Sequence, residues 1–126
     1  MLAPVSPAEL LDKITILEIK SERMADPAQR ANVRHELRVL EQVWEEVAAS
    51  DERTRRLRAD LKAINERLWE IEDAIRAKEA QRQFDDEFVE LARSVYRSND
   101  RRAALKRELN AHLGSELREE KSYQDY

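Results

Sequence analysis

The residues best placed to do chemistry form one strip. Asn65, Trp69, Glu72 and Arg76 are spaced four, three and four, so on a helix they share a face, with Lys62 and Asp73 just beyond it. An amide, an indole N–H, a carboxylate and a guanidinium side by side are suited to lining a polar cleft. The plainer reading is a solvated helix flank: Glu72 and Arg76 make an ordinary i,i+4 ion pair, and Trp69 packs beneath a neighbouring helix. Glu18 also stands out. At about 100° per residue it falls between Leu11 and Ile14, inside an apolar arc where an unpaired carboxylate is costly to desolvate. A basic side chain or a ligand is expected to meet it, and a structural ion pair is the plainer outcome.

Other chemistries find little support. The chain has no Cys, which excludes disulfides, zinc thiolates and thiol nucleophiles. A di-iron bundle needs Glu-x-x-His pairs on facing helices, whereas Glu108 and His112 are four apart and no second pair exists. Neither His stands near a Ser in a hydrolase motif, and a chain with one Gly has no glycine-rich phosphate loop. No metal and no cofactor is expected. Arg53, Arg55, Arg56 and Arg58, and then Arg101, Arg102, Lys106 and Arg107, are basic clusters, but acids interleave them and the net charge is −4. Nucleic acid is therefore not the expected partner. One enzyme comparison survives at the level of fold alone. Small all-helical chorismate mutases hold a dicarboxylate with Arg and Lys side chains and act by positioning and electrostatics. A cleft of Lys13, Glu72, Arg76 and Arg93 is conceivable on that analogy, although no mutase motif is matched.

The elements that must position these residues are helices. One Gly and three Pro leave little material for β-turns, and charged residues make up 40% of the 126-residue chain, which suits a single all-α domain with long solvated faces. Leu57, Leu61, Ile64, Leu68, Ile71 and Ile75 step by four and three into one seam, marking a central helix on which other segments pack. Ser6, Pro7 and Glu9 cap a first helix running to about Met24. Its Leu10, Leu11, Ile14 and Leu17 form one arc, while Ile16 and Ile19 point elsewhere, so it is expected to be covered on two sides. Asp26, Pro27 and Gln29 open a second helix with Val33, Leu37, Leu40, Trp44 and Val47 as its stripe; His35 lies off that stripe, in solvent.

Ser50 or Asp51 then caps the central helix. Ten residues from Val47 to Leu57 would turn a straight helix by about 280° and misalign the stripes, so an antiparallel hairpin of the second and central helices is expected, with a single bent helix as the lesser alternative. Asp85 or Asp86 starts a short helix with Phe84, Phe88, Leu91 and Val95. Ser98, Asn99 and Asp100 interrupt it, and a last helix over 101–113 ends at Gly114. The whole is a bundle of about five helices around a long antiparallel hairpin, followed by a polar tail at 115–126. No apolar run reaches the roughly 18 residues of a membrane span, and the N-terminal stretch lacks the pattern of a signal peptide, so the cytoplasm is expected.

Several strings, taken together, resemble a small bacterial family described as a domain of unknown function: ELLDKITILEIK at 9–20, NERLWEIEDAIR at 65–76, ARSVYRSND at 92–100, LKREL with Asn110 at 105–110, and GSELREEKSY at 114–123. The resemblance covers nearly the whole chain and implies a compact helical protein without an assigned activity. It also draws attention to polar groups that a scaffold does not require: Lys13, Asn65, Glu72, Asp73, Arg76, Arg93, Tyr96, Asn99, Asp100, Lys106, Arg107, Asn110, Lys121 and Tyr123. These would form a recognition surface or a buried polar network, with the tail docked through Tyr123.

The expected function is that of a helical interaction or scaffold protein, self-associating through the first helix or the hairpin, with a polar strip that recognises a protein partner. Its binding candidates are Lys13, Glu18, Asn65, Trp69, Glu72, Arg76, Arg93, Tyr96, Asn99 and Lys106. The alternative is a bundle that binds a small acidic metabolite or sugar nucleotide, with or without cofactor-free catalysis. Convergence of Glu18, Glu72, Arg76 and Arg93 in one concave site would favour it.

Overall fold

The computed structural model describes residues 3–47 and 51–114; the expected docking of the tail falls outside them. Four α-helices make up the fold among the described residues: α1 (Pro7–Arg23), α2 (Pro27–Val47), α3 (Glu52–Ala80) and α4 (Asp86–His112). Each begins where a short polar side chain can take up an orphan backbone N–H. Ser6 Oγ accepts from Glu9 N at 3.2 Å, Asp26 Oδ1 from Ala28 N at 3.2 Å, Asp51 Oδ1 from Thr54 N at 2.7 Å, and Asp85 Oδ1 from Phe88 N at 2.9 Å. At the other end of α4, Gly114 takes a left-handed φ of 68°, as a glycine after a helix does.

The close pairs are α1 with α2 and α3 with α4, and α1 lies across both helices of the second pair. The long antiparallel hairpin is thus α3/α4, joined by the turn at 81–85, rather than the second and third helices. The turn is closed by Lys78, whose Nζ lies 2.9 Å from Asp85 and 3.1 Å from Glu87. α2 meets α3 through side chains such as Glu41 and Arg58. Four helices replace the expected five because Ser98, Asn99 and Asp100 lie inside α4 without breaking it. Ser, Asn and Asp favour caps when nothing else holds the backbone, but here Ser98 is buried in the interior of the hairpin.

The core gathers where α1, the C-terminal half of α2, the first half of α3 and the second half of α4 meet. Ala8, Leu11, Ile14, Trp44, Leu57, Leu61, Leu105 and Leu109 form it, with Leu37, Leu40 and Ile64 packed against it. Burying each of the larger side chains contributes about 1.5–3 kcal/mol. The seam of α3 is therefore core at Leu57, Leu61 and Ile71, whereas Leu68 and Ile75 are only half-buried. Glu18 finds its basic partners within the bundle, Arg58 at 2.9 Å and Lys62 at 3.5 Å, which is the structural ion pair.

Candidate functional site

A groove of about 480 Å3 opens where α1 stops short of the α3/α4 hairpin. Ile16 and Ile19 of α1, Leu68 and Trp69 of α3 and Val95 of α4 supply its apolar surface; Asn65, Glu72, Asp73, Arg76, Asn99 and Arg102 supply its polar groups. The strip Asn65, Trp69, Glu72, Arg76 is one wall, as its spacing requires once α3 is a straight helix.

Beneath this wall lies a buried polar network. The Asp12 carboxylate, with its side chain only 6% exposed, receives a two-pronged hydrogen bond from Arg102, whose Nε lies 3.0 Å from Oδ1 and whose Nη2 reaches Oδ2. Asn65 Nδ2 donates to Asp12 Oδ1 at 2.9 Å and to Thr15 Oγ1 at 3.0 Å. Lys106 Nζ lies 2.6 Å from Glu9 and 3.7 Å from Asp12, and Asn110 Oδ1 accepts from Ala8 N at 3.0 Å. Desolvation alone would push the Asp12 carboxyl up. The hydrogen bonds from Arg102 and Asn65 and the charges of Arg102 and Lys106 outweigh it and hold the group below its ordinary value. Such a group is an ionised tether between α1, α3 and α4, not a proton donor or acceptor poised near neutrality.

The electrostatics of the groove follow from which charges are already used. Arg76 is bonded to Glu72 at 3.1 Å and Arg102 to Asp12, so both arginines are occupied by carboxylates. Asp73 has no ion-pair partner among the described residues. The indole of Trp69 and the amide of Asn99 are likewise without hydrogen-bond partners there. The groove is an apolar trough with an acidic rim. It can bind and orient a ligand, but it holds no nucleophile beside a base.

The candidate residues thus divide. Asn65, Trp69, Glu72, Arg76 and Asn99 come together at the groove. Lys106 sits below it in the network, 4% exposed. Lys13 is elsewhere, paired with Glu36 on α2 at 3.0 Å, and Glu18 belongs to the cluster with Arg58. Arg93 and Tyr96 interact with each other on α4, where the hydrogen bond from Arg93 lowers the phenol's pKa. Arg93 also reaches Glu90, and the Arg97 guanidinium lies 5.9 Å from the centre of the Tyr96 ring. Asp12, Thr15 and Arg102 are the members missed by sequence reasoning. Asp12 did carry a signal: it stands four residues before Ile16 and seven before Ile19, on the second covered side of α1.

Fold and site together define an all-helical bundle with an open groove between α1, α3 and α4. The chain belongs to a family of unknown function, DUF6165, which matches it over residues 1–126. No curated protein and no solved structure matches it. No helix of the described residues is long and apolar enough to cross a membrane, and no group of three or more metal-ligating side chains is gathered among them.

Proposed function

We propose that this protein is a helical interaction module whose groove between α1, α3 and α4 receives an apolar segment of a protein partner flanked by a basic residue. One observation carries this reading: the polar strip lies on a mainly apolar trough whose two arginines are already bonded to carboxylates while Asp73 is not. An apolar anchor fills such a trough, and a Lys or Arg beside the anchor answers Asp73. The acidic-metabolite reading loses support for the same reason. Its four groups do not converge, since Glu18 and Arg93 lie away from Glu72 and Arg76.

The test is photo-crosslinking in the native host from a photoreactive residue at Ala92, which stands one turn from Val95 on the exposed side of the groove, with Glu45 on α2 as the control position. A discrete protein adduct from Ala92 that is absent from Glu45 and is lost on adding Trp69→Ala is expected. Equal labelling from both positions refutes the reading. A thermal-shift screen with acidic metabolites and sugar nucleotides tests the alternative. Saturation at a hundred times the dissociation constant adds about 2.7 kcal/mol, and a shift abolished by Glu72→Ala and Arg76→Ala would favour the small-ligand bundle.

A further inference from the structure

α2 is held from one side. Of its described residues Trp44 alone is buried, and α1 is the only helix against which its backbone packs closely. Its charges also depart from the rule that the other helices follow. An acid in the first turn and a base in the last complement the dipole of a helix, and α1, α3 and α4 each carry both. α2 carries neither: its first half holds Arg30, Arg34 and Arg38, and Glu45 and Glu46 stand in its last turn. Arg30 adds a second cost, since its Nε is closed off from solvent without an acceptor. The acids nearby are committed elsewhere. Asp26 Oδ1 accepts from Ala28 N at 3.2 Å, Glu36 lies 3.0 Å from Lys13, and Glu41 lies 2.5 Å from Arg58. Glu45 is seven residues, about 10 Å, beyond Arg38. Among the described residues no carboxylate forms an ion pair with Arg30, Arg34 or Arg38.

A row of cations that lowers the stability of its own helix and goes unpaired within the bundle is placed for something outside it. We propose that the outer face of α2 docks an acidic helical segment of a partner protein. Successive arginines stand four residues and about 6 Å apart, the interval at which carboxylates at i, i+4 and i+8 stand on another helix. Arg34 and Arg38 edge the solvent face on one side. Val39 and Val43, 46% and 40% exposed, edge it on the other, with Ala31, His35 and Gln42 between them. The valines select a protein over a phosphate backbone, because an apolar row beside the cations fits leucines on a helix and gains nothing from phosphates. Glu45 and Glu46 limit the row to about 12 Å, and the net charge of −4 opposes a longer polyanion. No residue of α2 lines the groove between α1, α3 and α4, so this surface stands apart from the one described above.

The probe is a synthetic helical peptide with Glu at i, i+4 and i+8 and Leu at i+3 and i+7, compared by fluorescence anisotropy with a counterpart that has Lys for each Glu. The full chain is expected to bind the Glu peptide, more weakly as salt is raised, and to ignore the Lys peptide. Arg34→Glu/Arg38→Glu should raise the dissociation constant about tenfold or more and transfer binding to the Lys peptide. Val39→Ser should weaken the Glu peptide about threefold. The thermal midpoint separates recognition from structure: acids suit the first half of a helix better than bases, so the double reversal should leave the midpoint unchanged or raise it. A Glu peptide bound no better than the Lys peptide overturns the proposal. So does a reversal that lowers the midpoint together with binding, which makes the arginines structural. Tighter binding of an oligothymidylate or of phosphatidylserine vesicles, with Val39→Ser indifferent, assigns the row to phosphate and overturns the protein partner.

Discussion

Replacing Arg102 by Met is the sharpest probe of what holds α1 to the hairpin. The variant keeps an unbranched side chain but leaves the buried Asp12 carboxylate without its two-pronged partner. Removing one member of a buried ion pair costs about 3–5 kcal/mol, because the remaining charge stays desolvated. Arg102 itself is 29% exposed, and Lys106 at 3.7 Å and Asn65 at 2.9 Å remain on Asp12, which points to the lower end, about 3 kcal/mol. With an urea dependence of about 1–3 kcal/mol per molar, the unfolding midpoint at pH 7 should fall by about 1–3 M. The pH dependence gives a second check. In the wild type Asp12 is held below its ordinary value of 3.8, so its contribution is full above that value and is lost as pH falls through the folded value. In the variant desolvation is far less opposed, the folded value rises, and the penalty vanishes once the carboxyl is protonated. The two midpoints should therefore converge below about pH 4. Equal midpoints at pH 7, or a gap that persists in acid, would refute the tether.

Leu61, 1% exposed, should lose about 2–5 kcal/mol on truncation to Ala, whereas Leu68→Ala at the groove should lie at or below the bottom of that range; denaturant midpoints of the two variants distinguish core from groove wall. Arg76→Ala removes an exposed i,i+4 pair and should change stability by no more than about 0.5 kcal/mol, so a larger loss in the monomer would mean that this strip is part of the core. The Asp51 carboxyl is lowered to about 2 from 3.8, first by its hydrogen bonds with Thr54 and then by His112. Its capping of α3 should be complete above 3.8 and fade as pH falls through about 2; amide exchange in the first turn of α3 that is unchanged across this window would contradict the cap.

Local features of the fold were legible because they are written within a few residues. The caps at Ser6, Asp26, Asp51 and Asp85 and the left-handed Gly114 are of this kind, and so are the apolar stripes. Ser98, Asn99 and Asp100 misled for the same reason: three residues that end a free helix sit inside α4, where packing of the hairpin on both sides overrides local preference. The choice of hairpin partner depends on which stripes face each other, which spacing alone leaves open. One wall of the groove was visible as a strip on α3. Its floor was not, because the bond from Arg102 to Asp12 joins residues 90 apart, and among 23 Lys and Arg no pattern singles out one cation for one acid.

The bond from Ala8 N to Asn110, across 102 positions, bears on the order in which the chain acquires its structure. α1 and α2 emerge first and can pair locally, but the partners of α1 on α4 are synthesised last. Until they arrive, Asp12 lies on a face open to water and the N-terminal amide of Ala8 lacks its acceptor. The first two helices should thus form only a loose hairpin during translation, with the cooperative transition waiting for Arg102, Lys106 and Asn110. A chain cut before residue 102 would lose the joint together with Leu105 and Leu109 of the core.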